Sequence, residues 1–425
     1  MKKLLTLSLC LSVVAAAATA QEKSNVKKGW NFGPLPAVSY NSDLGFQYGA
    51  LCDIFYYGDG STFPQYVHKF NVELSRYTKG QTVAHLFYDS KHLISGGIRL
   101  TAAATYLDSK MAPFYGFNGF LSPYDYDYTD KGNALYNPAF YAIDRKMLRI
   151  LADFQGKLRD NLGWVAGLTF WDVATDRVQL EAYKEKTTLY DLYAANLLIS
   201  PDEHSGQHLE FKAGLVLDTR DFEPAPSKGY CAELLATGSP DWFGGNGYNY
   251  VRLLAQWRQF FTPIPGRLTL AYRLSYQDTF GKTPFYLQQT ISTLYLRQVQ
   301  SEGLGGKNTV RGILQNRILA DGYVWANFEA RVRVVDFRFI NQAWYLALNP
   351  FFDTGIVTRS RYADRQEQIG LQEVYSGDAD GLHSSAGIGI KLVMNQNFIV
   401  SCEWGKPFDK RDGKSGMNIG LNYIF

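Results

Sequence analysis

The stretch Tyr323-Val324-Trp325-Ala326-Asn327-Phe328-Glu329-Ala330-Arg331-Val332-Arg333-Val334-Val335 sorts its residues by parity. Even positions hold Val324, Ala326, Phe328, Ala330, Val332 and Val334, while the odd ones include Asn327, Glu329, Arg331 and Arg333. A strand sends alternate side chains to opposite faces, whereas a helix stripe recurs every three to four residues, so this run is a strand with one oily and one wet face. Residues 267–277 repeat the pattern, with Leu268, Leu270, Tyr272, Leu274 and Tyr276 opposed to Arg267, Thr269, Arg273, Ser275 and Gln277. So do residues 251–261, with Val251, Leu253, Ala255, Trp257 and Phe261 against Arg252, Gln256 and Arg258. Residues 145–157 set Leu148, Ile150, Ala152 and Phe154 against Arg145, Arg149, Asp153, Gln155 and Lys157.

Strands with one face suited to hydrocarbon must pair all their backbone groups within the protein, which requires closure into a barrel. A soluble sandwich also alternates, but its polar face looks outward and it needs no aromatic rim. The 29 Tyr, 27 Phe and 39 Gly fit aromatic girdles and many short strands. After the first twenty residues no apolar run approaches the roughly 20 residues of a membrane helix. The expected fold is therefore all-β, a transmembrane antiparallel barrel of about 16 strands. The strands are expected to begin near Pro34, Leu44, Tyr66, Gln81, Gly97, Phe140, Leu162, Leu209, Gly229, Gly247, Arg267, Tyr323, Ala343, Ser384, Asn397 and Gly416. The long connections at 111–139, 179–208, 280–322 and 354–383 then share one side, which must be the exterior because barrels keep their periplasmic turns short.

Lys2 and Lys3, an apolar run from Leu4 to Val14, and Ala18-Thr19-Ala20 before Gln21 form a secretory signal in residues 1–20. Cys10 sits within the apolar run, which does not suit lipoprotein processing. Cleavage leaves a short periplasmic segment, 21–33, ahead of a barrel at 34–425. Removing Lys2 and Lys3 from 43 basic residues leaves 41 against 40 acidic ones, a balance without a nucleic-acid footprint. Cys52, Cys231 and Cys402 are odd in number and widely spaced, so they read as barrel-wall residues. The last strand aligns Met417, Ile419, Leu421, Tyr423 and Phe425 on one face. That pattern resembles the signal by which the outer-membrane assembly machinery captures its substrates.

The connection at 280–322 carries Gly305-Gly306-Lys307-Asn308-Thr309-Val310-Arg311-Gly312-Ile313. The following strands supply Glu329 and Phe351-Phe352-Asp353-Thr354-Gly355. Asp218-Thr219-Arg220-Asp221 precedes Pro226-Ser227-Lys228-Gly229, and Ser385-Ala386-Gly387-Ile388-Gly389 leads to Gly405-Lys406-Pro407-Phe408. Together these resemble the superfamily of BamA, TamA and the two-partner secretion transporters, related to bacterial surface antigens, over about 209–425. Ile313 departs from the aromatic residue that the superfamily prefers. The resemblance implies that the sixth exterior loop folds into the lumen with Val310, Arg311, Gly312 and Ile313 at its tip. Arg311 would fork between Glu329 and Asp353, which share the lumen face by parity; a guanidinium binds two carboxylates through charge-assisted hydrogen bonds. Without the resemblance, a solvated Arg311, with the carboxylates paired to Arg331 and Arg333, is the simpler reading.

The resemblance further implies insertion or export of outer-membrane proteins from a Gram-negative outer membrane, in contact with its lipid and with the assembly machinery during biogenesis. Residues 21–33 leave no room for POTRA domains, so a separate periplasmic or lipoprotein partner is expected in their place. A loop-plugged passive channel is the alternative, and a lipid-modifying enzyme a third, although none of His68, His85, His92, His204, His208 and His383 lies in a nucleophile motif. Tyr124 to Asp130 and Asp378 to Gly381 lack a full set of calcium ligands, and His204 and His208 beside Asp202 and Glu203 lack closing zinc ligands. These stretches read as solvated loops, with no metal, cofactor or nucleic acid expected.

Overall fold

The computed structural model describes residues 26–63, 65–244, 247–294, 303–339, 342–394 and 398–425. The expected signal at 1–20 and its cleavage point lie outside them. Seventeen strand segments form one sheet closed on itself: β1 (Trp30–Pro36), β2 (Ser39–Asn41), β3 (Gly45–Tyr56), β4 (His68–Tyr77), β5 (Gln81–Ile94), β6 (Ile98–Pro113), β7 (Ala142–Lys157), β8 (Leu162–Asp176), β9 (Ser205–Asp218), β10 (Gly229–Ser239), β11 (Tyr250–Ile264), β12 (Leu268–Gly281), β13 (Gly322–Phe339), β14 (Gln342–Arg359), β15 (His383–Met394), β16 (Phe398–Pro407) and β17 (Gly416–Leu421). β1 and β2 both pair with β3 and are two halves of one stave, so the barrel has sixteen antiparallel staves. The break follows Pro36, which has no N–H to give a neighbouring strand.

Parity holds around the wall. In β13 the lumen side buries Tyr323, Trp325, Asn327, Glu329 and Arg331, while Val324 and Phe328 are exposed on the outside. The long connections 114–141, 177–204, 282–321 and 360–382 leave one rim, as expected, and their described residues fold inward there. Phe114, Phe117, Tyr193, Phe285, Leu319 and Val374 from all four connections share one buried cluster. Polar ties knit the same cap: Arg317 donates to the carbonyls of Gly119, Ser122 and Arg411 at 2.8–3.1 Å. The short helix α1 (Leu189–Ala195) is started within it by a capping box between Thr188 and Asp191. Burial of the other three connections was not legible in their polar, tyrosine-rich sequences.

The last residues differ from the expected run. Alternation holds to Leu421, then Asn422 takes φ +69° and the chain turns inward, leaving Tyr423 and Phe425 only 7% and 8% exposed. Phe425 packs on Phe260 of β11 and Ala271 of β12. Cations explain the turn: the Arg331 guanidinium lies 3.9 Å from the Tyr423 ring and donates to the Phe425 main-chain oxygen at 2.8 Å, and Arg273 lies 5.3 Å from the Phe425 ring. Ala225, from the turn between β9 and β10, packs against Val393, Ile399 and Tyr423 and helps to fill the periplasmic end.

Closure is uneven. β17 meets β2 through two register pairs, Asn418 with Asn41 and Ile419 with Tyr40, against ten between β15 and β16. One further bond, from the Ser42 N–H to the Met417 carbonyl at 3.0 Å, prolongs this seam.

The parity assignment predicts opposite outcomes for two arginine substitutions. Phe328→Arg on the lipid face should lower the unfolding free energy in bilayers by about 2–4 kcal/mol. Leu382→Arg, on an exterior connection, should stay within about 0.5 kcal/mol. Denaturant titration followed by the heat-dependent gel shift of the folded barrel measures both.

Candidate functional site: the anchored loop tip

The tip of the 282–321 connection is shaped by glycine. Gly305, Gly306 and Gly312 all have positive φ. A Cβ on Gly312 would stand 2.6 Å from the carbonyl carbon of Gly405, so only glycine lets the tip approach the wall this closely. Gly416 also lies against Gly312, with its own Cβ position 3.2 Å from the Gly312 Cα. Val310 and Ile313 are buried with Tyr323 and Trp325, so an aliphatic residue at 313 fills the space without an aromatic ring.

This approach brings Arg311 into a cage of carboxylates, and its side chain is 1% exposed. Nε and Nη2 donate to the two oxygens of Asp353 at 2.7 and 2.9 Å, and the main-chain N–H adds a third bond at 3.0 Å. Nη1 donates to Glu329 at 2.6 Å and to Glu403 at 2.9 Å. The guanidinium carbon lies 3.7 Å from the Phe351 ring centre, and the Arg311 carbonyl accepts the Ser385 hydroxyl. Arg331 takes the other oxygen of Glu329 at 3.1 Å, and Lys391 donates to Glu403 at 2.7 Å. Three cations thus face three carboxylates. That neutrality matters, because a charge buried without a partner costs several kcal/mol.

The expected fork between Glu329 and Asp353 is present in the geometry. The simpler alternative is half right: Arg331 does bind Glu329, but together with Arg311, while Arg333 binds Asp336 outside the cage. Glu403 and Lys391 escaped the sequence reading. Both lie at lumen positions in β16 and β15, so parity was the signal available for finding them.

Beyond Arg311 the tip crosses the seam. The Gln315 N–H donates to Asp43 at 3.1 Å, and Asn41 reaches both the Gln315 side chain at 3.4 Å and Asn418 at 2.9 Å. Burial pushes the Asp43 carboxyl up to about 6, against the opposing pull of the Gln315 N–H and Lys79. The Leu314 N–H donates to the Asp412 carbonyl at 3.1 Å in the connection before β17. One loop tip therefore touches both sides of the weak closure.

The other singled-out residues have structural partners. Asp218 and Arg220 form a two-bond pair at 2.9 and 2.6 Å, Asp221 accepts three main-chain N–H groups of its own turn, and Gly229 takes φ +95° against Thr219. His204 and His208 bond to the Tyr190 and Tyr286 hydroxyls and are not brought together, and Glu203 pairs with Arg361. Asp125 caps its own turn, and Asp378 binds Arg411. His85 lies 2.8 Å from the Thr105 hydroxyl, but both are buried toward the lumen, away from lipid. Cys52, Cys231 and Cys402 are unpaired residues of the wall strands.

The profile of the Omp85 superfamily domain matches residues 72–425. Among solved structures, BamA from Haemophilus ducreyi lacking POTRA domains 1–3 aligns with a TM-score of 0.60 and 15% identity, over 93% of this chain and 71% of that one. CdiB from Escherichia coli aligns with a TM-score of 0.56 and 11% identity, over 95% of this chain and 64% of that one. At such identities the likeness concerns the fold, and this chain spans less than two thirds of CdiB. A search of curated proteins gives no sequence match.

Removing the fork should release the tip. Arg311→Ala leaves three buried carboxylates to two cations and should destabilise the folded barrel by about 3–5 kcal/mol. Arg311→Lys keeps the charge but loses the fork and should fall between it and wild type. The temperature of the gel shift, and protease cleavage of the 303–321 segment in intact barrels, report the two effects.

Proposed function

The chain belongs to the Omp85 superfamily, and from that premise we propose that it inserts polypeptide into the outer membrane or exports it across that membrane, with the barrel as the working part and a separate periplasmic or lipoprotein partner delivering the client. Its membership of a family of outer-membrane barrels supports the location. The observation that carries the reading is the seam, where two register pairs stand in for the full ladder. In hydrocarbon each unpaired backbone group costs several kcal/mol, so strand edges that part can be stabilised by another strand that pairs with them. An incoming client strand supplies those donors and acceptors. The anchored tip spans this place from the lumen side, so that the wall can yield there without losing its register elsewhere.

The passive-channel alternative has less support. Buried clusters of the described residues lie at both ends of the lumen, the exterior one in the cap and the periplasmic one around Tyr423, Phe425 and Ala225.

Locking the seam tests the proposal. Tyr40 and Ile419 are register partners, so Tyr40→Cys with Ile419→Cys, in a background lacking Cys52, Cys231 and Cys402, should form a disulfide across the closure. Oxidised protein in proteoliposomes should lose at least about tenfold in the rate of inserting an unfolded barrel client, and reductant should restore it; tenfold corresponds to about 1.4 kcal/mol on the barrier. Undiminished insertion by the locked barrel would overturn the role given to the seam.

A further inference from the structure

His383 opens β15 at the exterior rim and is fully buried. Its Nδ1 lies 2.8 and 2.9 Å from the two oxygens of Asp412, and its Nε2 lies 3.0 Å from Oδ1 of Asp380. A neutral imidazole has one N–H and one lone pair, so it cannot donate to carboxylates on both sides. The geometry requires one more proton, carried by the ring or shared with a carboxylate.

This triad joins three connections. Asp380 lies in the 360–382 connection and Asp412 in the 408–415 connection. Asp380 Oδ1 also accepts the Phe120 N–H at 2.9 Å, and the Phe120 ring centre lies 4.0 Å from that of His383, which adds the 114–141 connection. Two arginines face the triad from neighbouring elements. Arg317 approaches Asp412 at 4.0 Å while its hydrogen bonds go to carbonyls. Arg411 covers the Phe120 ring at 3.9 Å and binds Asp378 at 2.8 Å and Asp409 at 2.7 Å. Its hydrogen bonds hold the Asp409 carboxyl below the usual carboxylate range, so this partner stays charged as the triad titrates.

We propose that Asp380, His383 and Asp412 form a proton-dependent latch on the exterior cap, closed while the triad holds its extra proton and loosened when it gives it up. The sign follows from linkage. The latched state binds more protons than the released state, so raising the pH favours release. After deprotonation one ring nitrogen presents a lone pair to a carboxylate about 3 Å away in a buried site, where an unmade hydrogen bond to a charged group is destabilising. The connections that meet there, near residues 117–122, 376–382 and 408–415, are the ones that should loosen. The latch does not rest on the insertion reading, and it adjoins the seam through the Asp412 carbonyl that takes the Leu314 N–H.

Hydrogen exchange with mass spectrometry on the full chain in detergent or nanodiscs tests it. Protection factors are corrected for the intrinsic pH dependence of exchange, with the β7 and β8 peptides as reference. Between pH 6 and pH 9 the peptides covering 114–123 and 408–415 should lose at least about tenfold in protection while the reference strands stay constant. Asp412→Asn should abolish that dependence and keep the cap protected at pH 9, because its amide can donate to an unprotonated Nδ1 while the Nε2–H donates to Asp380 Oδ1, which still accepts the Phe120 N–H. His383→Gln, which cannot titrate, should show low protection at both pH values. Wild-type protection that does not change with pH, or an Asp412→Asn profile that follows wild type, would overturn the latch.

Discussion

Burying a guanidinium inside a membrane protein is tolerable only when its charge and its donors are met, and the Arg311 cage meets them with Asp353, Glu329 and Glu403. Much else hangs on that requirement. Glu329 gives one oxygen to Arg311 and the other to Arg331, and Arg331 holds the inward-turned Tyr423 and Phe425. Glu403 is shared with Lys391, which also binds Ser401. Loop tip, four neighbouring strands and terminal segment therefore make one neutral polar unit. Removing any one of its six charged side chains leaves a buried charge rather than a missing contact.

The wall and its filling are built on different principles. Wall strands are fixed by period-two alternation and by the need to pair every backbone group in lipid, so they tolerate many side chains provided the parity is kept. The filling is held by particular contacts: Arg317 on three carbonyls, Asn118 on the Arg361 carbonyl and Gln366, and Gly312 against Gly405. Substitutions in the wall are judged by face, and substitutions in the filling by the partner lost.

That difference decides what the sequence disclosed. The sixteen expected starting points fall within about four residues of observed strands, because alternation is a local property that a single chain displays. Parity also placed Glu329 and Asp353 on the lumen face. The cap was not legible, since contacts such as Phe120 with His383, or Arg361 with Glu203, join residues over 150 positions apart and leave no local pattern. The terminal segment misled for a related reason. Tyr423 and Phe425 keep the right parity for lipid, but the alternation cannot reveal that Arg331 and Arg273 offer their rings a better surface inside. Glu403 was reachable in principle, yet one acidic residue at a lumen position does not announce which arginine it meets.

The placement of the cage next to the seam follows from backbone geometry. Arg311 can reach Asp353 and Glu403 together only if the loop tip lies flat on β16 and β17, and glycines at 312, 405 and 416 allow that approach. Once there, residues 314 and 315 have nowhere to go except across the closure, onto the Asp412 carbonyl and Asp43. The short β17–β2 ladder and the strap across it are thus one design, in which hydrogen bonds missing from the wall are replaced by a tip held on a charge cage. If β17 moved away from β2, it would carry Gly416 from beneath Gly312 and strain the cage, while a slackened cage would leave the two-pair seam without its strap. Opening at the seam and release of the loop are therefore coupled through Gly312, and any parting of the strands works against the Arg311 network as well as the ladder.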